Sequence, residues 1–80
     1  MNEYMQKVHA VAKKVVVWRK VEENKKKLGG SLSNQIAWVI YEQEIPVHEA
    51  PRTKNFQSLV VGVVKEMELE ADGSDPELPL

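Results

Sequence analysis

The side chains best suited to chemistry in this sequence are two histidines and four serines. His9 and His48 are far apart in the chain, and neither has a second ligand type at metal-site spacing. His48 stands beside Glu49, a neighbour that suits a general base, although most such loop histidines are simply solvated. None of the serines lies in the G-x-S-x-G pattern of a nucleophile. We therefore expect no enzyme, no metal site and no cofactor.

Charge is distributed unevenly along the chain although the net charge is only −1. Residues 1–30 hold eight bases and three acids, whereas residues 31–80 hold three bases and nine acids. Such a division is typical of a basic binding surface or of an acidic segment that meets one. Two groups are the predicted partner-binding residues: the basic Arg19, Lys20, Lys25, Lys26 and Lys27, and the acidic Glu66, Glu68 and Glu70.

The basic group also permits binding to nucleic acid, because lysine and arginine neutralise phosphates. Trp18 adjoins it and could stack on a base, although its place in an apolar stripe favours the core. A sequence pI near 6.1 is low for a dedicated nucleic-acid binder. Nucleic acid is therefore the second of the two partner types considered.

The elements that position these charges follow from apolar spacing. Apolar residues recur at steps of three and four along one helical face, at Tyr4, Val8, Val11, Val15 and Trp18. Lysines crowd the end of this stretch, and Gly29 suits a left-handed C-terminal cap. The sequence thus predicts one long helix over residues 3–28, with its second half projecting because the stripe ends at Trp18. The β-branched run at residues 15–18 would suit a strand, but it is only four residues long.

Two shorter elements follow. Residues 33–44 are apolar almost all round, which predicts a central, buried helix with Trp38 in the core, and Ser31 or Ser33 can cap it. A proline-containing loop leads to a third helix at 55–71, capped by Thr53 or Asn55.

The fold class expected is therefore all-α, a small three-helix domain over residues 1–73 with a disordered acidic tail at 74–80. An alternative remains open, because residues 58–71 also alternate with a period of two. In this α+β alternative, the long helix packs on strands at 35–45 and 58–71.

Function is expected to be non-catalytic. A chain of 80 residues without cysteine has little core of its own, which favours sharing surface with another chain. We expect a small cytoplasmic regulator or inhibitor, of the kind that bacteria and mobile elements encode, which binds a protein and self-associates. No apolar run approaches the ~20 residues of a membrane span.

Overall fold

Three α-helices and one 3₁₀ segment make up the fold. The computed structural model describes residues 2–74, apart from the side chains of residues 25, 27, 28 and 71–74. Helix α1 spans Glu3–Lys20, the 3₁₀ segment spans Glu22–Gly29, α2 spans Leu32–Glu42 and α3 spans Lys54–Ser74. Residues 2–74 contain no strand, so the all-α prediction is confirmed and the α+β alternative is not favoured.

Helices α1 and α3 lie side by side and run in the same direction. Near their first turns the rings of Tyr4 and Phe56 pack edge to face, with centroids 5.7 Å apart. Towards their other ends Arg19 bonds to Glu68. The core between them holds the predicted stripe of α1 together with Phe56, Val60, Val63 and Val64 of α3. The helical period therefore prevails in α3 over the period of two.

Helix α2 covers this pair with one face only. Its buried residues are Gln35, Ile36 and Val39, whereas Trp38 is 43% exposed and Tyr41 is 77% exposed. The prediction that α2 is the central, most buried element is therefore wrong, and Trp38 is not a core residue. The physical reason is that residues 2–74 provide no further element to cover the outer side of α2, as is common in so small a domain.

The first helix ends eight residues earlier than the sequence predicts, and its second half does not project as a continuous rod. Val21 has extended backbone angles (φ −74°, ψ 126°), and Asn24 donates from its side chain to the Trp18 carbonyl at 3.0 Å. An asparagine that binds backbone in this way competes with helical hydrogen bonds. The 3₁₀ segment then contacts both α1 and α2.

Gly29 also differs from its predicted role. It lies at the end of the 3₁₀ segment, and no described glycine has a positive φ, so the left-handed cap predicted at Gly29 is wrong. The caps of the other helices follow the sequence more closely. Ser31 accepts from Asn34 N–H at 3.2 Å and begins α2, and Thr53 accepts from Phe56 N–H at 3.1 Å and begins α3.

The loop between α2 and α3 is held by Arg52. Its guanidinium donates to the carbonyls of Ala50 (2.5 Å) and Ile45 (2.8 Å), two buried residues that each precede a proline. Of the tail predicted at 74–80, Ser74 belongs to α3, and residues 75–80 lie outside the described residues.

Candidate functional site

Two of the predicted partner-binding residues bind each other within one chain. Arg19 Nε donates to Glu68 Oε2 at 2.7 Å, and both side chains are about one-third exposed or less. Arg19 Nη1 donates in addition to the side chain of Gln35, which is buried. The pair therefore joins α1, α2 and α3, so that its first role is to hold the fold together.

The remaining predicted residues are spread over three elements. Lys20 is exposed at the end of α1, and Lys26 is exposed on the 3₁₀ segment. Lys25 and Lys27 lie on that segment too, and their side chains are outside the described part of the structure. Glu66 and Glu70 are exposed on α3. The structure therefore brings together Arg19 and Glu68 from the two predicted groups, and the described others are exposed on three different elements.

Further hydrogen bonds near the Arg19–Glu68 pair join the same end of α1 to α2 and to the residues just before α2. Gln35 Nε2 donates to the Gly30 carbonyl at 3.0 Å, which fixes the chain just before α2. Trp18 is buried, and its indole N–H donates to Glu42 Oε1 at 3.0 Å, which ties the end of α1 to the end of α2. Buried polar groups such as the Gln35 amide and the Trp18 indole need partners, and the Gly30 carbonyl and the Glu42 carboxylate supply them.

Four lysines of α1 form a second charged feature, of which the sequence analysis had named only Lys20 as partner-binding. Lys7 and Lys14 lie seven residues apart along one edge of the outer side of α1, and Lys13 and Lys20 lie seven apart along the other. We call these four residues the lysine row. No carboxylate in residues 2–70 with a described side chain lies within ion-pair distance of them. The row extends over about 20 Å of helix.

The outer side of α2 is the most distinctive exposed surface. Asn34, Ala37, Trp38 and Tyr41 follow one another at helical steps of three, one and three, and we call these four residues the aromatic face. The two rings pack edge to face with centroids 6.5 Å apart. None of the four is charged, in a chain of which 29% of residues are charged. The sequence shows this face only after the buried residues of α2, Gln35, Ile36 and Val39, have been identified, because the face consists of residues on the other side of the helix.

A groove runs beside the aromatic face, between α2 and the start of α3. It has a volume of about 380 Å³ and is lined by the buried side chains of Ile36 and Phe56. Tyr41 forms part of its wall, and the exposed side chains of Arg52 and Lys54 also line it. An apolar side chain of a partner can therefore enter next to Tyr41.

The two histidines make separate contacts. His9 Nδ1 is 2.9 Å from the Met5 carbonyl, one turn earlier in α1. His48 and Glu49 are 3.7 Å apart and both well exposed, and no other titratable group joins them in a described ion pair. Residues 2–70 hold no group of three histidine, cysteine or acidic side chains that could bind a metal ion. That the protein is not an enzyme stays a prediction.

No protein-family model, curated protein or solved structure matches this chain. Within residues 2–74, every helix is too short or too polar to cross a membrane. The surfaces themselves are therefore the basis for any statement about function.

Proposed function

We propose that this protein is a non-catalytic regulator that acts by binding another protein chain through the aromatic face of α2. The observation that carries the proposal is the exposure of Trp38 and Tyr41, side by side, on a helix whose opposite face is core. Tryptophan and tyrosine are enriched at protein interfaces, and they supply much of the binding energy there.

The surroundings of the two rings support this choice. Charged residues are depleted at the centres of protein interfaces, and the aromatic face has none. The neighbouring groove offers an apolar recess for a partner side chain. A partner therefore needs an uncharged surface opposite Trp38, bordered by a side chain able to enter beside Tyr41.

The proposal includes the finer expectations drawn from the sequence. Binding would regulate or inhibit by covering a partner's surface, as expected of the small proteins that bacteria and mobile elements encode. A cytoplasmic location is part of it, supported by the lack of cysteine in the sequence. So is self-association, which a small core favours.

Photo-crosslinking in the cell that produces the protein naturally tests whether the aromatic face contacts another protein chain. A benzoylphenylalanine placed at Ala37 is expected to give discrete protein adducts, and the same probe at Lys13, on the outer side of α1, is not. Adding Trp38→Ser should remove the adducts, while helical content by circular dichroism stays unchanged. Equal adducts at both positions, or none at Ala37, would contradict the proposal.

A second candidate function is nucleic-acid binding, and the lysine row favours it. Four lysines without a described ion-pair partner can neutralise phosphates along about 20 Å of helix. Two observations place it second. Glu3 and Glu49 line the same recess as Lys7 and Lys14, which lowers the local positive potential. The acidic residues Glu66 and Glu70 are exposed on the neighbouring helix.

Titration of duplex DNA and of single-stranded RNA at two salt concentrations tests this candidate. If the lysine row binds phosphates, affinity should fall steeply with salt, and Lys13→Gln with Lys20→Gln should reduce the slope by about two units. Lys65→Gln, on α3, is the matched control and should leave the slope unchanged. Absence of binding at low salt would remove the candidate.

A further inference from the structure

We propose that the groove between α2 and the start of α3 binds a small organic anion, namely a carboxylate carried on an apolar body such as a medium-chain acyl group. The site goes beyond the proposed function, because its occupant is a small ligand and not a protein, and it can be tested on the purified chain. Three properties of the groove carry the inference: an apolar floor, a rim on which both charged residues are positive, and a small volume.

The floor of the groove is apolar and is part of the fold. The side chains of Ile36 on α2 and Phe56 on α3 line it, although each is almost fully buried. Ile40, which is half-buried, also lines it. Because packing in the core holds these side chains in place, the floor exists before a ligand arrives, as in most small-molecule sites. An apolar ligand body that covers the floor removes further apolar surface from water.

The rim of the groove carries positive charge. Arg52 and Lys54 are the charged residues that line it, both are exposed, and they flank Thr53, which caps α3. No carboxylate lines the groove, and none with a described side chain in residues 2–70 lies within ion-pair distance of either residue. The N-terminal end of α3 adds partial positive charge beside them. An anion is therefore favoured at this rim.

Acidic residues on the neighbouring segments do not line the groove; these are Glu3, Glu42, Glu44 and Glu49. Glu42 accepts from the indole of Trp18, on α1. Glu3 and Glu49 line a separate recess against α1, together with two lysines. Glu44 is exposed in the loop that follows α2 and lines neither recess. Of these four acids, Glu44 is the one expected to lower the positive potential at the rim.

The side chain of Arg52 is already held in place for binding an anion. Its guanidinium donates to the backbone carbonyls of Ala50 and Ile45, and the second of these bonds is 2.8 Å long. Such neutral acceptors fix the side chain without cancelling its charge. They use two of its five N–H groups, so others can donate to a carboxylate, whose planar shape matches the guanidinium. A side chain that is already fixed also loses less entropy when the ligand binds.

The size of the groove selects a small ligand. Its volume of about 380 Å³ lies near the lower end of the range for small-molecule pockets. Its walls come from α2, from the loop and from the first turn of α3, so they surround a compact space and not a long channel. A carboxylate held by Arg52 and Lys54 would leave one acyl chain of medium length, or one ring, to cover Ile36 and Phe56.

Titration of the isotopically labelled chain with octanoate tests the site, with amide chemical shifts as the readout. Shifts are expected at residues that line the groove, such as Tyr41, Thr53 and Gln57, and not at Ala10 on α1. Neutral octanamide should bind about tenfold more weakly, because it lacks the charge-assisted bonds, and octylammonium should not bind. Equal binding of octanoate and octanamide would overturn the proposal.

Substitutions at the rim test where the carboxylate is held. Lys54→Gln should weaken octanoate binding severalfold, and Arg52→Gln should weaken it further. Because Arg52 also holds the loop, the thermal midpoint of its variant is measured as well, and Lys54→Gln, which breaks no described bond, tests the site without that complication. Glu44→Gln should strengthen binding. Lys65→Gln, which is exposed on α3 and does not line the groove, is the matched control and should leave the affinity unchanged.

The results separate this site from the proposed function. Octanoate binding is measured on the purified chain, so its absence overturns the ligand site and leaves the aromatic face to its own crosslinking test. Binding that Lys54→Gln and Arg52→Gln both leave unchanged would overturn the ligand site too, because the carboxylate would then not lie at the rim.

Discussion

Arg19 and Glu68, 49 positions apart in the chain, form a 2.7 Å ion pair that links the end of α1 to α3. The same guanidinium donates to Gln35, whose side chain is buried in α2. One arginine thereby fixes the relative positions of the three helices at this end of the fold. The two partners of the pair are consequently unequal in importance.

Replacing Arg19 should therefore cost more stability than replacing Glu68. Arg19→Met leaves the Gln35 amide oxygen buried without this donor, and we expect a loss of about 2 kcal/mol. Glu68→Gln removes a partly exposed charge and should cost less than about 1 kcal/mol. Urea denaturation measures both, with the exposed Lys20→Met as the control. Equal losses would show that the bond to Gln35 contributes nothing.

The two tryptophans should differ sharply in their response to mutation. Trp18 is buried and donates to Glu42, so Trp18→Phe should cost about 1–3 kcal/mol through a small cavity and a lost hydrogen bond. Trp38 is half-exposed, so Trp38→Phe should change stability by less than about 0.5 kcal/mol.

Fluorescence of the same two variants gives an independent reading. The chain that retains Trp38 should be quenched by acrylamide more readily than the chain that retains Trp18. The reverse order would mean that α2 is rotated relative to its described position.

Ser31 rather than Ser33 should determine the stability of the start of α2. The Ser31 hydroxyl accepts from Asn34 N–H, so Ser31→Ala should cost about 1 kcal/mol. Ser33 contributes its backbone carbonyl, which accepts from Gln57 at 3.2 Å and survives replacement by alanine. Ser33→Ala should therefore stay within about 0.5 kcal/mol of the wild type in the same denaturation experiment. A larger loss of stability for Ser33→Ala than for Ser31→Ala would show that Ser33, and not Ser31, caps α2.

Gly62→Ala should stabilise the protein. Gly62 lies within α3, and a Cβ added there has no neighbouring atom within 4 Å. Alanine favours a helix over glycine by up to about 1 kcal/mol, so the thermal midpoint should rise. A lower midpoint would indicate that a partner chain approaches α3 at this position.

The sequence predicts the α1–α3 core well because its stripes are long. Apolar residues from Tyr4 to Trp18 repeat with the helical period over four turns, which predicts α1 clearly. The stretch from Phe56 to Met67 has the same period but also alternates with a period of two, so the sequence alone left α3 open to a strand. Helix α2 is harder to predict because it is apolar on all sides, and a sequence of that kind normally indicates complete burial. One side of α2 stays exposed because α1 and α3 together cover only the opposite side, and this follows from the packing of the whole fold rather than from the sequence of α2.

The end of α1 illustrates a different limit. Residues 22–27 are rich in glutamate and lysine, which favour a helix, so local preference predicts continuation. The helix ends instead because Trp18 and Arg19 are held by residues from other elements, and Asn24 binds the Trp18 carbonyl. Such tertiary contacts leave no local signal. The lysine row, by contrast, could have been found by placing the lysines on a helical wheel rather than counting them along the chain.

The parallel arrangement of α1 and α3 has a consequence for synthesis of the protein. Helix α1 leaves the ribosome before α3, on which it packs, and residues 21–53 must loop back between them. Closing such a loop costs entropy before any core contact is gained, so docking of α3 rather than helix formation should set the folding rate. A nascent chain that lacks α3 keeps the apolar stripe of α1 open to water, and it is the species on which chaperones and proteases would act.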